Sequence, residues 1–516
     1  RPATRVDESG RRSKELDMAL PGTWIRLRPS LAFVAAALAA CSAPDGSATL
    51  AIVHASVIDA TGAAATSDQT VLIEDGYIRA VGPSSEVAVP PEATVVDATG
   101  RYVIPGLWDM HTHTGAVPTT FDLYLANGVT SVRDMGCDPG CAALLAERRA
   151  LEASGSVLGP RIVSTGPNID GASPIDYPGH VHVGVADAAL TVEELASAGA
   201  DFIKVRDWLS PEEYAEVLDA ARLRGLPVDG HVPAAVTVTD VVAGGQRTIE
   251  HGGSMLGGLL LGTSSDEDDL RTELLAAMDS ARVSGQFFLP FALAMGPAFT
   301  GRMLRTFDEA KADVMVEAFR RAGTALVPTL VVAHPAFMSA DPVFDGRRLL
   351  DGRQMDYVSG PVSEMWKASA SSPLFAGEGL EAARGRYEAL LDLVARLHEA
   401  GVPVLPGTDL SMEAPWQVAG FGLHDELLLL VEAGLSPMDA LRAATSEPAK
   451  VLGFTDLGTI EADKVADLVI LEADPLRDIR NTRRIAGVIS RGKYLARPAL
   501  DSLLATAAEA ATSTRD

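Results

Sequence analysis

Residues that can bind a metal ion follow short apolar runs along the middle of the chain. His111 and His113 are two residues apart, and alternate residues of a β-strand point to the same face, so both imidazoles can reach one point. Imidazole and carboxylate groups are the usual ligands of a catalytic zinc ion. The full set is His111, His113, Lys204, His231, His251 and Asp409. It predicts a divalent metal centre.

Lys204 is the least ordinary of these residues because it lies in the apolar run Phe202-Ile203-Lys204-Val205. A buried ammonium group is costly, so such a lysine is normally paired, chemically modified or catalytic. A single histidine is more often a hydrogen-bonded core residue, and His180 and His182 form a second pair with the same spacing. The metal interpretation therefore depends on the whole set.

The elements that must position this set alternate between β-like runs and amphipathic helical stretches, which is typical of parallel βα units. The β-like runs are residues 102–110, 129–135, 161–166, 201–207, 226–232, 247–252, 325–332 and 402–410. In a (β/α)8 TIM barrel the active site lies at the C-terminal ends of the strands, where the set falls. A doubly wound sheet would require a glycine-rich nucleotide loop, which is missing. We predict an α/β fold with a TIM barrel.

Two β-rich blocks enclose this region, each with short apolar runs joined by Gly- and Asp-rich turns. Because they lie at opposite ends of the chain, we predict that both termini form one small β-sandwich domain. The predicted boundaries are 1–47 for a signal peptide and linker, 48–102 for the first part of the sandwich, 103–455 for the barrel, 456–499 for the second part and 500–516 for a tail.

The N-terminal region is predicted to be an export signal. Residues 31–40, LAFVAAALAA, follow Arg26 and Arg28, and the run is too short to span a bilayer. It ends at Leu38-Ala39-Ala40-Cys41, which resembles a bacterial lipobox and implies lipidation of Cys41. A plain signal peptide or a buried apolar helix is the alternative. We expect a bacterial cell-envelope protein that is lipid-anchored, periplasmic or secreted.

The net charge limits which partners the protein can bind, and the cysteine content limits the possible cross-links. The formal net charge of −26 repels phosphate backbones, so we expect no nucleic-acid binding. The expected partner is a small-molecule or peptide substrate, membrane contact is expected only through the lipid anchor, and a homo-oligomer is left open. Cys137 and Cys141 flank a short turn, where they form either a small disulfide loop or two free thiols.

Several motifs carry a resemblance to a known family. Asp109-Met110-His111-Thr112-His113 resembles the D-x-H-x-H opening of the amidohydrolase superfamily, and Gly407-Thr408-Asp409 resembles its last strand. The similarity spans about 48–497. The segments 202–205, 230–232 and 249–252 are similar to the imidazolonepropionase-like and prolidase-like (Xaa-Pro dipeptidase-like) branch.

The resemblance implies a ligand set for two divalent metal ions, with zinc as the default. In that branch the lysine usually carries a CO2-derived carbamate that bridges the two ions, which places Lys204 between them. His111, His113 and Asp409 would bind the first ion, and His231 and His251 the second. Asp109 precedes His111 by two residues on the same face. We therefore expect it to hold the metal ligands in orientation without binding a metal ion itself.

The function implied is hydrolysis of C–N bonds in small substrates such as dipeptides or N-acyl amino acids. Two divalent ions lower the pKa of a bridging water toward ~7, and the resulting hydroxide attacks the substrate carbonyl. Asp409 is the expected catalytic residue, since it can move the proton of this water to the leaving amine. The alternatives are a lactonase or organophosphate hydrolase, a mononuclear deaminase, and a non-catalytic surface binding lipoprotein.

Candidate substrate-binding residues are His180, His182 and Tyr177, in a Gly- and Pro-rich loop after the third run, and Arg206. Arg206 shares the face of Lys204 and could meet a substrate carboxylate. An ordinary structural role is equally open for each of them. For His424, which begins a helical stretch, we predict a structural role.

Overall fold

The computed structural model describes residues 49–513, with the exception of 116, 178, 253–255, 257, 336–342, 345–346, 349–353, 373–375 and 412–414. The expected export signal and the anchor at Cys41 lie outside the described residues. Within the described part of the chain, no helix combines the length and the apolar composition that crossing a membrane requires.

Strands occupy both ends and the middle of the chain. They are β1 Leu50–Val57, β2 Thr66–Glu74, β3 Tyr77–Pro83, β4 Thr94–Asp97, β5 Tyr102–Pro105, β6 Leu107–Thr112, β7 Val129–Asp134, β8 Arg161–Ser164, β9 Asn168–Asp170, β10 His180–His182, β11 Ile203–Val205, β12 Val228–Gly230, β13 Thr248–Glu250, β14 Ala325–Val327, β15 Val343–Phe344, β16 Arg347–Arg348, β17 Leu468–Leu471, β18 Ile485–Ser490 and β19 Lys493–Ala496.

Helices fill the connections between the strands. They are α1 Pro118–Ala126, α2 Pro139–Ala153, α3 Val185–Ser197, α4 Pro211–Arg224, α5 Val238–Ala243, α6 Gly258–Gly262, α7 Glu267–Ser284, α8 Leu289–Met295, α9 Pro297–Arg305, α10 Glu309–Ala322, α11 Leu330–Ala333, α12 Gly360–Ala370, α13 Glu378–Glu399, α14 Phe421–Glu432, α15 Pro437–Ala443, α16 Ser446–Leu452 and α17 Arg497–Ser513, with 3-10 turns at Gln354–Tyr357 and Ile479–Arg483.

Local sequence signals explain why individual helices begin and end where they do. α4 starts with a capping box, in which the Ser210 hydroxyl and the Glu213 carboxylate satisfy each other's backbone N–H groups. Pro211 occupies the first turn, and Gly225 ends the helix in the left-handed conformation. The predicted tail, in contrast, contains the helix α17, which buries Leu500, Ala507 and Ala511.

The two ends of the chain form one eight-stranded sheet in the order β19-β18-β17-β5-β1-β2-β3, with β4 paired to β1. Strand β17 pairs antiparallel with β5 and so joins the C-terminal block to the N-terminal one. One apolar cluster contains Ile52 and Val71 from the first block and Leu468 and Ile489 from the second. The expected joining of both termini into one β-structure is confirmed, whereas its division into two sandwich layers stays a prediction.

The middle of the chain forms two parallel sheets. One has the order β6-β7-β8 and the other the order β10-β9-β11-β12-β13-β14. The first expected run is split, because β5 joins the terminal sheet and only β6 enters the parallel one. The mixed α/β class is confirmed, and closure into a single eight-stranded barrel stays a prediction.

Residues 402–410, the eighth expected run, form isolated bridges and no regular strand. Leu405 N–H donates to Leu326 O on β14, and Met110 N–H on β6 donates to Pro406 O, so the segment connects the two sheets. Pro403 and Pro406 lack the N–H groups that a continuous ladder needs. At Gly407 a Cβ would lie 2.6 Å from the Cβ of His111, so the close approach requires glycine.

Cys137 and Cys141, whose state the sequence left open, form a disulfide. The bond closes the turn at the start of α2, where the Asp138 side chain accepts hydrogen bonds from the N–H groups of Gly140 and Cys141. The loop preceding this turn includes Gly136, whose carbonyl group lies 2.8 Å from Nδ1 of His113, one of the predicted metal ligands.

Candidate metal centre

The C-terminal ends of the parallel strands bring the predicted metal ligands together. His111 lies on β6 and Lys204 on β11. The others directly follow strands or lie in the bridging segment. We name this group the His/Asp/Lys cluster, which consists of His111, His113, Lys204, His231, His251 and Asp409.

Asp409 contacts several members of the cluster. Its Oδ1 lies 3.2 Å from His111 Nε2 and 3.4 Å from His113 Nε2, and its Oδ2 lies 3.9 Å from His251 Nδ1. One ligand atom from each of His111, His251 and Asp409 falls within 4.8 Å of the others, which is the spacing of a possible shared cation. The ring of His231 lies 4.9 Å from that of His251.

All four histidines of the cluster are held in the same way, because each Nδ1 contacts an oxygen of a neighbouring residue. Such a contact fixes the ring orientation, and in His111 and His113 it leaves Nε2 to face Asp409. The pairs are His111 with Glu250 at 2.7 Å, His113 with the Gly136 carbonyl at 2.8 Å, His231 with Asp207 at 2.8 Å, and His251 with Thr329 at 2.9 Å.

Two buried nitrogen atoms of the cluster, His231 Nε2 and Lys204 Nζ, have no hydrogen-bond partner among the described residues, while His111 Nε2 faces the Asp409 carboxylate. Buried polar atoms are nearly always satisfied, so this concentration of unsatisfied ones calls for a ligand. The lone pairs of two imidazoles and the Asp409 carboxylate fit a divalent cation. The donor set is therefore chemically suited to a metal ion.

Burial favours the neutral form of four nitrogen bases of the cluster, namely Lys204, His231, His111 and His251. It lowers the pKa of Lys204 to about 7 and that of His231 to about 4. Burial also lowers the pKa of His111 and of His251. For Asp409 burial acts in the opposite direction, but the adjacent His251 and His111 hold its pKa well below the ordinary value. Neutral imidazoles and an ionised carboxylate are the forms that bind metal.

Two members of the cluster adopt a backbone conformation that non-glycine residues rarely occupy. His251 has a φ of 58° and Asp409 a φ of 49°, and Thr329, which contacts His251, has a φ of 46°. Each such residue costs about 1–3 kcal/mol and persists only where the surroundings enforce it. Strain of this kind concentrates at functional sites, so it agrees with a role for these positions.

A fully satisfied ion network adjoins the cluster. Its centre is the buried Arg133, whose guanidinium donates to Asp229 at 2.8 Å, Thr248 at 2.9 Å and Glu250 at 2.8 Å. Arg247 also donates a hydrogen bond to Asp229, so this carboxylate contacts two guanidinium groups. Glu250 belongs to both regions, because its other oxygen contacts His111. Although burial opposes ionisation, Arg133 and His111 hold the pKa of Glu250 well below its ordinary value.

Asp109 lies behind the cluster. Its carboxylate accepts hydrogen bonds from the N–H and hydroxyl of Thr408 at 3.1 and 2.7 Å, and from the N–H of His111 at 3.2 Å. Burial raises the pKa of Asp109 to about 6. These bonds fix the residue next to Asp409 relative to β6, which is the position expected of a supporting carboxylate.

Comparisons with known proteins agree with this geometry. The amidohydrolase family profile matches residues 102–263 and 382–495. The chain belongs to the amidohydrolase family. It is similar to an imidazolonepropionase from Haloarcula marismortui, with 26% identity over 413 residues, 79% of this chain and 84% of that protein.

Solved structures show the same fold. A crystal structure of a candidate prolidase from Bifidobacterium longum matches with a TM-score of 0.63 and 25% identity over 89% of this chain and 99% of that one. A bottromycin amidohydrolase matches with a TM-score of 0.67 and 24% identity over 90% of each chain. The protein is accordingly an enzyme, a metal-dependent amidohydrolase that acts on C–N bonds.

Two of the candidate substrate residues of this amidohydrolase, His180 and Arg206, interact electrostatically with His231. His180 Nδ1 lies 3.7 Å from Asp170 Oδ2, and the rings of Tyr177 and His180 are 4.8 Å apart. Arg206 has a buried Nε without a partner among the described residues, and its charge acts on both His180 and His231. His182 instead contacts the hydroxyl of Ser173 at 3.4 Å.

Sequence reasoning missed the residues that hold the histidines. Glu250 and Asp207 each adjoin a motif residue, so a search for carboxylates beside the ligands would have found them. Thr329 and the carbonyl of Gly136 carry no such signal. Thr329 lies 78 residues from His251 along the chain, and only the fold brings it there.

Proposed function

We propose that this amidohydrolase cleaves the amide bond of dipeptides or N-acyl amino acids. The observation that carries the proposal is the common arrangement of four histidines, each held through Nδ1, around Asp409 and an unpartnered Lys204. Such an arrangement is suited to binding metal ions and leaves little room for any other role.

The proposed metal content is two divalent ions, zinc by default. His111, His113 and Asp409 would hold one ion, and His231 and His251 the other. Lys204 would bridge them as a CO2-derived carbamate. Support comes from its complete burial and its low pKa of about 7, since carbamate formation requires the neutral amine.

Metal ions bound here would supply an activated water and polarise the substrate carbonyl. The protein's own residues then position and move protons. Asp409 Oδ1 lies within 3.4 Å of two histidine Nε2 atoms, so the carboxylate is placed to accept a proton from the attacking water and to release it to the leaving amine. Asp109 keeps Asp409 in place by holding Thr408.

The substrate carboxylate is proposed to bind Arg206, with His180 and Tyr177 beside it. A carboxylate would satisfy the buried guanidinium nitrogen that otherwise has no partner among the described residues. Stacked rings of Tyr177, Phe287 and Trp208 extend from this position, with ring centroids 6.4 and 6.2 Å apart. An apolar side chain next to the cleaved bond fits this aromatic surface. His182 has no comparable contact within the described part of the chain and is the weakest member of this set.

The names of the relatives support the same substrate class. A prolidase and a bottromycin amidohydrolase are among the structural neighbours, and their names indicate peptide-like substrates. Closure of the two parallel sheets into a barrel through residues 402–410 is part of the proposal. Export to the cell envelope, with an anchor at Cys41, also remains a proposal.

Elemental analysis of the purified protein, paired with a substrate panel, tests the proposal. We expect two metal equivalents per chain and turnover of Xaa-Pro or other dipeptides or of N-acyl amino acids. The panel includes lactones, phosphotriesters and aminopurines as controls. One equivalent with release of ammonia would indicate a deaminase, and turnover of lactones or phosphotriesters alone would also reject the amide substrate. No metal and no turnover would reject the enzyme site itself.

A further inference from the structure

The backbone around Thr329 is held in a conformation that it would not adopt alone. Thr329 is a β-branched residue with a φ of 46°, a value unfavourable for such side chains. Its hydroxyl contacts His251 Nδ1 at 2.9 Å, and it directly precedes the short helix α11. The ring of His251 is therefore oriented by a strained residue.

A carboxylate from a distant helix secures this conformation. Glu426 of α14 is completely buried, and its two oxygens accept hydrogen bonds from the N–H groups of Leu330 at 2.9 Å and Val331 at 2.7 Å. These are the first two N–H groups of α11, which have no partner within the helix. The Thr329 side chain forms no cap bond for α11 and is thus left to meet His251.

We infer that Glu426 is a positioning residue for the candidate ligand His251 and acts through α11 and Thr329. The inference rests on the proposed function to the extent that His251 binds a metal ion. Glu426 follows Asp409 by 17 positions in the sequence.

The physical argument is one of rigidity. Without the carboxylate, the N–H groups of α11 lose their acceptors and Thr329 can relax to an ordinary φ, which moves its hydroxyl from His251. A ring held only by its own side-chain torsions samples orientations other than the one that binds a metal ion. Metal sites tolerate displacements of only about 0.5 Å, and loss of such a supporting contact typically weakens metal binding by about 10–100-fold.

The test compares Glu426→Gln, Thr329→Val and the double variant in the full-length protein. Zinc affinity is measured by chelator competition at a temperature where circular dichroism shows every variant folded. Glu426→Gln keeps the size of the side chain but presents an amide N–H to one of the two backbone donors. We expect both single variants to bind their weaker zinc ion about 10–100-fold less tightly, and the double variant to be no worse than either.

Asp425→Asn is the matched control. Asp425 is the neighbouring buried carboxylate on α14 and pairs with Arg483 of the 3-10 turn Ile479–Arg483. The Asp425→Asn change should lower the unfolding temperature and leave the zinc affinity unchanged. The inference would be overturned if the losses of zinc affinity in the two single variants added up in the double variant. It would also be overturned if Glu426→Gln bound zinc as tightly as the wild type. If His251→Ala also kept both zinc ions, the proposed metal site would fail instead, which separates the two cases.

Discussion

Two neighbouring groups of buried polar side chains differ in one respect, namely whether their hydrogen bonds are complete. In the network around Arg133, the guanidinium meets Asp229, Thr248, Glu250 and the carbonyl of Met110. In the His/Asp/Lys cluster, in contrast, His231 Nε2 and Lys204 Nζ have no partner among the residues that the structure describes. The atoms compared are buried in both groups, so burial does not explain the difference.

This difference distinguishes a functional site from a structural one. A complete network stabilises the fold, and removal of one member leaves an unpaired buried charge. An incomplete cluster contributes little stability by itself and reserves its lone pairs for a ligand. Glu250 connects the two, because one oxygen binds Arg133 and the other contacts His111. The rigid network thereby fixes one side of the reactive cluster.

The largest effect is expected for Lys204→Ala. The change should lower kcat by about 1,000-fold or more and remove about one metal equivalent, since the proposed bridging ligand would be lost. The metal-free protein should lose no hydrogen bond, because the amine has no partner among the described residues, so any fall in its unfolding free energy reflects the cavity left by the aliphatic stem. Kinetics, elemental analysis and urea unfolding measure these quantities. Normal turnover with full metal content would contradict the bridging role.

Arg133→Met should act mainly on the stability of the fold. Three polar partners lose their cation, and we expect the apparent free energy of unfolding to fall by about 3–5 kcal/mol. The control is Arg320→Met, which breaks an exposed pair with Glu317 and should cost at most about 1 kcal/mol. Equal urea midpoints for the two variants would show that the Arg133 network is not the stabilising element.

His424 sharpens the comparison, because it is a buried histidine with both ring nitrogens satisfied. It contacts Thr482 at 2.9 Å and the Asn127 carbonyl at 3.1 Å, as the predicted structural role requires. Burial lowers its pKa from 6.5 to about 3. Folding therefore excludes a proton that the unfolded chain binds, so this stability is complete above pH 6.5 and is lost as pH falls toward 3.

The measurable consequence is a pH slope. Between about pH 7.5 and about pH 5 the titration of His424 should cost about 2 kcal/mol of unfolding free energy. His424→Gln can keep both hydrogen bonds, but its side chain does not titrate. Between the same two pH values, the unfolding free energy of this variant should therefore fall by about 2 kcal/mol less than that of the wild type. Parallel stability curves for the variant and the wild type would show that His424 does not titrate in this way.

The sequence by itself singled out the six residues that the structure brings into one cluster, and their role as metal ligands stays a prediction. Their signal is local, because each follows an apolar run whose period and length predict a strand, and His111 and His113 share a face by their spacing. The sequence also indicates where α4 begins and ends, since Ser210, Pro211 and Gly225 act on adjacent backbone groups. Propensities and caps operate over a few residues, and that range suffices for such features.

What only the tertiary structure decided is how the cluster is held. The contact of His111 with Glu250 joins residues 139 positions apart, and that of Asp109 with Thr408 joins residues 299 positions apart. The irregular path of residues 402–410, the φ of Thr329 and the placement of Glu426 are likewise absent from any local pattern. They depend on which strands and helices become neighbours, and burial then makes each unpaired polar atom costly enough to enforce one arrangement.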